Sequence, residues 1–233
     1  EIGILNKQGR PDIAAITNVS MGHLDGLSDT KSIAKEKGNI LNFKSESGIA
    51  YLPKDSEFFD FWSQKTNAKE VFSFGLHPDS DFRVSNTEVE IEKNLTHFHL
   101  SFENQEEEMS INGIGMHNSL NATLAVAIGL HCGLRINEIK ERLTSTELPE
   151  RRLAVTKSLN NSIMIDDTYN SNPASLRNAL DCLEKLDKKK VCILGEMKEL
   201  GKGSKKIHKD SLEYASKRAD KILCLGDSWL EDN

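Results

Sequence analysis

The stretch IMIDDTYNSNPAS, Ile163 to Ser175, decides how this chain is read. Ile163 to Ile165 form a short apolar run that stops at Asp166, as a buried central strand does on reaching the edge of its sheet. Asn172 and Pro173 then open a helix. An asparagine side chain accepts from an early backbone N–H, and proline suits the first helical position because it lacks a donor that would be left unpaired there. The spacing predicts a helix from Ala174 to Leu186, with Leu176, Leu180 and Leu183 on one stripe. Strand, polar loop and helix in this order place two acids, a tyrosine and two asparagines at a carboxyl edge, where open parallel sheets bind ligands. The same Asp and Asn residues also suit a plain turn.

Downstream, Val191 to Leu194, Ile207 to Arg218 and Ile222 to Leu225 continue the alternation as strand, helix and strand. That order predicts a parallel sheet with right-handed crossovers. Upstream, Thr144 to Arg152, with Pro149 and the charged ERR, reads as a domain linker and hinge. Before it, Met116 to His131 has helical period and Gly133 as its stop, and a shorter helix runs from Asn137 to about Leu143. From Gly48 the pattern is strand-like: GIAYL, VFSFG, FRVSN, EVEIE, LTHFHLSF and MSING. His97 and His99 alternate with Phe98, Leu100 and Phe102. Two histidines on one face could ligate a metal, but no third ligand stands nearby, and a solvated polar face is the simpler reading. Glu106 to Glu108 read as a solvated hairpin tip.

The amino-terminal part opens with a buried strand, PDIAAITNV, a polar turn, SMGHLDG, and a helix from about Asp29 to Phe43. Ile33, Ala34, Ile40 and Leu41 form its apolar stripe, and Lys37 sits inside it. A lysine there must snorkel, lose its charge or gain a partner. The fold class is α/β: a partly strand-rich domain over 1–147 and a Rossmann-like carboxyl-terminal domain over 148–233, both expected to be incomplete because the chain opens without a methionine and ends just after a strand-like ILCLG.

Composition narrows the function. At 233 residues there is room for one large or two modest cores, and a net charge of -6 leaves no basic footprint for nucleic acid. The longest apolar run, within Leu124 to Leu130, is far short of the roughly 20 residues that span a bilayer. Cys132, Cys182, Cys192 and Cys224 form no close pair, which points to a reducing, cytoplasmic setting. GLSDTKS, GEMKELGKG and GIG each lack the glycine, lysine or hydroxyl spacing of a phosphate or dinucleotide loop.

Taken in order, RPDIAAITNVSMGHLDGL, IAKEKGNIL, GMHNSLNATLAVAIGL, ERRL, IDDTYNSNPASLRNAL and LGEMKELG resemble the Mur ligases of peptidoglycan synthesis, and among them the branch that adds D-alanyl-D-alanine. The resemblance extends from EIGIL to about Gly226. It implies an ATP- and magnesium-dependent enzyme that phosphorylates the carboxylate of UDP-MurNAc-tripeptide, so that the amine of D-alanyl-D-alanine attacks an acyl phosphate. It also implies roles for single residues. Glu1 and His23 match magnesium ligands, and Lys37 matches a lysine that is carbamylated and, so modified, can approach the metal. Lys37 and His23 are the catalytic candidates. Asn118 and Asn121 match an HNxxN pair that meets adenine. Arg152 matches the arginine after the linker and is the ATP-binding candidate, although Arg151 and Arg152 both stand where the family carries glycine-arginine and leave the choice between them open, and Asp167 matches the acid that binds ribose. Tyr169, Asn170 and Asn172 lie where the dipeptide is held, although Asn172 could be spent as the helix cap. Asp166, Glu196, Glu199 and His208 carry no assigned role, and the last two read as structural. The resemblance places a phosphate loop and a UDP-binding domain ahead of Glu1, so this chain alone is expected to fold, as a monomer, without ligating. Other amide ligases of the same architecture, such as folylpolyglutamate synthases, and a non-catalytic nucleotide-binding module are the alternatives.

Overall fold

The computed structural model describes residues 1–19, 29–147 and 149–230. Helix α1 (Ile2–Gly9) leads into strand β1 (Ile13–Ala15), and α2 (Thr30–Lys37) continues as a 3-10 turn over Gly38–Leu41. Strand β2 (Ile49–Pro53), helix α3 (Phe59–Lys65) and strands β3 (Glu70–Gly75), β4 (Phe82–Glu90), β5 (Leu95–Phe102) and β6 (Gln105–Asn112) follow. They complete a six-stranded sheet in the order β1-β2-β3-β4-β5-β6, parallel as far as β4 and antiparallel beyond it.

Every residue of β2 is buried, because the sheet is covered on both faces. Ile49 and Tyr51 join Phe74, Val84, Phe98, Leu100 and Met109 under helix α4 (Met116–His131), while Ala50 and Leu52 meet Ala34, Leu41 and Trp62 on the opposite side. The Tyr51 hydroxyl enters the first core but donates to the carbonyl of Ala127 at 3.3 Å, so its polar end is not stranded. Helix α5 (Ile136–Ser145) closes this part and adds Ile139 to the core.

Four expectations are corrected here. FRVSN and EVEIE form one strand, β4, whose pairing with β5 slips between Ser85 and Glu88; Asn86, at φ 48°, takes the left-handed conformation that makes the bulge. Glu106 to Glu108 lie within β6, paired with Ser101, Leu100 and His99, and the hairpin tip is Glu103 and Asn104, both at positive φ. The helix expected to reach Phe43 tightens at Gly38, where Trp62 leaves room for no side chain without adjustment: an added Cβ would stand 3.1 Å from its Cδ1. Trp62 Nε1 donates to the carbonyl of Ala34 at 2.9 Å, and α3, which carries it, was not anticipated from the sequence.

The fourth concerns the carboxyl-terminal part. There β7 (Ala154–Lys157) and β8 (Ile163–Asp166) form an antiparallel pair, followed by α6 (Pro173–Glu184), β9 (Val191–Gly195), α7 (Ser204–Ser216) and β10 (Lys221–Leu225). Strands β9 and β10 pair in parallel as expected, with Cys192 and Leu194 packed toward Leu180 and Ala215. Among the described residues, however, β8 is laddered to β7 and not to β9, and it is only half-buried. The two-residue turn explains this partner: Asn160 and Asn161 both have positive φ, and Ser158 N donates to the carbonyl of Ser162 at 2.8 Å, closing a tight hairpin. A fourth cluster joins the two parts of the chain, packing Ile91 and Ile114 against Leu153 and Cys182.

Candidate active site

The carboxyl ends of three parallel strands open onto one cleft of about 430 Å³, lined among others by Thr17, Asn18, Pro53, Asp55, Gly75 and, from α4, Leu120. Such an edge is where backbone and loop groups of an open sheet reach a ligand. Lys37 lies behind this rim: its Nζ donates to the carbonyl of Asn18 at 2.8 Å. Burial holds the Lys37 ammonium below its ordinary pKa. The lysine therefore resolves its place on an apolar stripe by one neutral hydrogen bond and partial desolvation, which favours the unprotonated amine. Asp55, which the sequence reading passed over, accepts from Leu76 N at 2.7 Å and shapes the far wall; Gly75, at φ 155°, is needed because a Cβ there would strike Asp55 Oδ2 at 2.2 Å.

The start of α4 forms a second element of the site. Gly115, at φ 105°, lets the chain enter the helix beneath the ring of His117. Asn118 Nδ2 donates to the carbonyl of Ile114 at 2.9 Å, which fixes the amide and leaves its oxygen available, while Asn121 is exposed one turn on. His117 was also passed over. Its Nδ1 is buried with no hydrogen-bond partner among the described residues, and burial lowers its pKa.

Leu153 carries the third element to this helix start. Its side chain packs with Ile114, and its backbone N–H donates to Asp167 Oδ1 at 3.1 Å. Burial raises the Asp167 carboxyl to a pKa of about 6, against the opposing pull of the Leu153 N–H and of Arg152. The Arg152 guanidinium stacks over the ring of Tyr169 at 4.4 Å, and Tyr169 N donates to the carbonyl of Arg151 at 3.1 Å. Arg151 itself has φ 62°, the conformation that a glycine adopts without strain. The structure thus brings Asn118, Arg152, Asp167 and Tyr169 to one corner of the molecule.

Other candidates make different contacts or are exposed. Asn172 Oδ1 accepts from Ala174 N and Ser175 N, both at 3.0 Å, so its carbonyl oxygen is committed to capping α6; Asn170 is exposed. Asp166 Oδ1 accepts from Thr168 N and Oγ1 in a local turn. Glu196 accepts from Ser228 N at 3.0 Å, which lowers its pKa, and Glu199 occupies a left-handed position at φ 61°. His208 is fully buried, accepting from Met197 N through Nε2 at 3.0 Å, with Nδ1 2.8 Å from the carbonyl of Ser204 and Trp229 edge-on at 4.5 Å. These contacts fix the ring within the core of the carboxyl-terminal part. Glu1 is exposed, and its amino group meets Glu36 at 2.8 Å. His23 lies outside the described residues. His97 is engaged by Glu90 and Ser110, and His99 by Glu106. Among the described residues no three His, Cys, Asp or Glu side chains gather to hold a metal ion; of the magnesium candidates, His23 lies outside those residues and Lys37 is of another type. All four cysteines are free, and no helix among the described residues is long and apolar enough to cross a membrane.

Comparison with known proteins gives this geometry its context. The Mur ligase middle domain matches residues 3–129, and the Mur ligase glutamate ligase domain matches 151–232. This chain belongs to the Mur ligase family. It is 28% identical to the UDP-N-acetylmuramoyl-tripeptide--D-alanyl-D-alanine ligase of Escherichia coli over 93% of its own length and 48% of that protein. It is also 28% identical to the ligase of the same name from Bacillus subtilis, over 90% of this chain and 45% of that one. Among solved structures, MurF from Acinetobacter baumannii superposes with a TM-score of 0.89 at 28% identity, covering 98% of this chain and 49% of that chain. The chain therefore spans about half the length of the Mur ligases it matches.

Proposed function

We propose that this chain forms the central and carboxyl-terminal parts, divided near residues 147 and 148, of an ATP-dependent amide ligase that joins D-alanyl-D-alanine to UDP-MurNAc-tripeptide in the cytoplasm. The observation that carries this reading is the corner where the start of α4, the Arg151–Leu153 segment and the loop after β8 meet beside a strand-end cleft, in a chain whose relatives bear that activity by name. Bound ATP supplies a phosphoryl group that turns a carboxylate into an acyl phosphate, with magnesium screening its charge.

The chain's own residues contribute binding and orientation. Asn118 and Asn121 face an adenine edge with an amide acceptor and donor. Asp167, held by Leu153 N, accepts from a ribose hydroxyl, and its ionisation near pH 6 leaves it an acceptor at neutral pH. Arg152 presents a permanent positive charge and a planar fork toward phosphate oxygens. Tyr169 and Asn170 border the space for the dipeptide. The depressed pKa of Lys37 supports carbamylation, because only the unprotonated amine adds to carbon dioxide. His23 and Glu1, with the carbamate, are the ligand set proposed for magnesium, and no step is assigned to them.

The test is phosphate release by the full-length protein given ATP, magnesium and UDP-MurNAc-tripeptide, with D-alanyl-D-alanine, glutamate or a diamino acid as the amine. Release triggered by the dipeptide is expected. Release with glutamate or a diamino acid alone would keep the family and overturn the substrate, and none with any amine would favour a nucleotide-binding module.

A further inference from the structure

Three independent contacts tie residues 151–153 to residues 167–169: Tyr169 N to the carbonyl of Arg151, Leu153 N to Asp167 Oδ1, and the Arg152 guanidinium over the Tyr169 ring. They pull on a segment that is locally unfavourable. Arg151 at φ 62° and Leu153 at φ 52° are both left-handed, and a bulky residue holds that conformation only where its surroundings over-determine it. Leu153 is anchored by burial, 3% exposed among Ile91, Ile114 and Cys182. Arg152 and Tyr169 have no such anchor: Tyr169 is 63% exposed, and its aromatic face is the contact described for the guanidinium. An arginine fork with four rotatable bonds is poorly placed for phosphate unless something fixes its plane.

We propose that Tyr169 is a positioning residue for Arg152, clasping the linker arginine to the loop after β8 so that the nucleotide side and the amine side of the site are set as one unit. This rests on the proposed function for its catalytic consequence, but the clasp itself is a property of the fold. It differs from a role for Tyr169 as a simple wall of the dipeptide space, because the ring then acts through a residue on the nucleotide side.

The test has two readouts in the full-length protein. The first is trypsin cleavage after Arg152, which follows the population in which this segment opens. Tyr169→Phe, which keeps the ring, is expected to retain the wild-type cleavage rate. Tyr169→Ala and Tyr169→Leu are expected to raise it about 2- to 5-fold, the worth of an exposed cation–π contact. The second is the Michaelis constant for each substrate. Tyr169→Ala is expected to raise KM for ATP by a similar factor, and to add nothing further when combined with Arg152→Gln. A rise in KM for the dipeptide alone, with cleavage and KM for ATP unchanged, would overturn the clasp. If no amine supports turnover, the functional reading fails and the cleavage rates alone decide: acceleration in Ala and Leu but not Phe upholds the clasp, and equal rates in all four proteins overturn it.

Discussion

At Asp167 a proposed nucleotide-binding role is set against stability. Its carboxyl has an ordinary pKa of 3.8 and a folded value of about 6, raised chiefly by burial. Between those values the folded state holds a proton that the unfolded state has lost, so stability falls as pH rises from about 4 to 6 and the cost is fully present above that range. Asp167→Asn, which still accepts from Leu153 N, is expected to stabilise the protein at pH 8 by on the order of 1 kcal/mol once its partial exposure is allowed for. The gain should vanish near pH 4, and nucleotide affinity should drop at the same time; urea titrations at the two pH values and a nucleotide-binding isotherm check both. Arg151 makes a complementary case. Its left-handed backbone costs roughly 1–2 kcal/mol relative to a helical or extended one, which glycine avoids at the expense of chain entropy. Arg151→Gly is expected to stabilise by roughly 0.5–1 kcal/mol, visible as a higher urea midpoint at an unchanged slope. Lys37, whose pKa burial lowers, should give a carbamate carbon signal under labelled carbon dioxide that is lost in Lys37→Met, with phosphate release falling on the order of 100-fold or more.

At the scale of elements, α6 is the clearest translation of sequence into structure. Asn172 and Ser175 form a reciprocal capping box around Pro173 at the first position, and Asn172→Ala is expected to cost about 1 kcal/mol in unfolding free energy by urea titration. Elements with a strong period or a strong punctuation mark were legible in this way: α4 with its stop at Gly133, the alternation of β5, and the pair β9 and β10. The β7–β8 hairpin was less so, although its Asn160–Asn161 turn is a hairpin signal in plain view; a three-residue apolar run reads equally well as a central parallel strand, and only the ladder partner distinguishes them. Helix α3 escaped because FFDFW carries too many aromatics for a clear helical stripe, and its identity depends on Trp62 finding the Ala34 carbonyl and the gap at Gly38. Candidate site residues were named through resemblance in ordered motifs. What stayed hidden was partnership across distance, such as Leu153 with Asp167 and Arg152 with Tyr169, because no local pattern encodes contacts between segments more than a dozen residues apart.

In the whole molecule, two separately cored parts meet through the small cluster around Ile91, Ile114, Leu153 and Cys182, supplemented by an exposed ion pair between Lys188 and Glu92 at 2.6 Å. An exposed pair of this kind contributes little, roughly 0–1 kcal/mol, so the apolar cluster sets the relation between the parts. That relation places Ile114, at the entry to α4 in the first part, against Leu153, which in turn holds Asp167 in the loop after β8, as the proposed reaction between a nucleotide and two further substrates requires. The proposed activity requires that a carboxylate be activated there by phosphorylation. The most direct measurement is oxygen-isotope transfer in the full-length protein, with the terminal carboxylate of UDP-MurNAc-tripeptide labelled and D-alanyl-D-alanine and ATP supplied. An acyl phosphate route predicts one labelled oxygen in each phosphate released alongside amide product. Unlabelled phosphate formed together with the amide would contradict it.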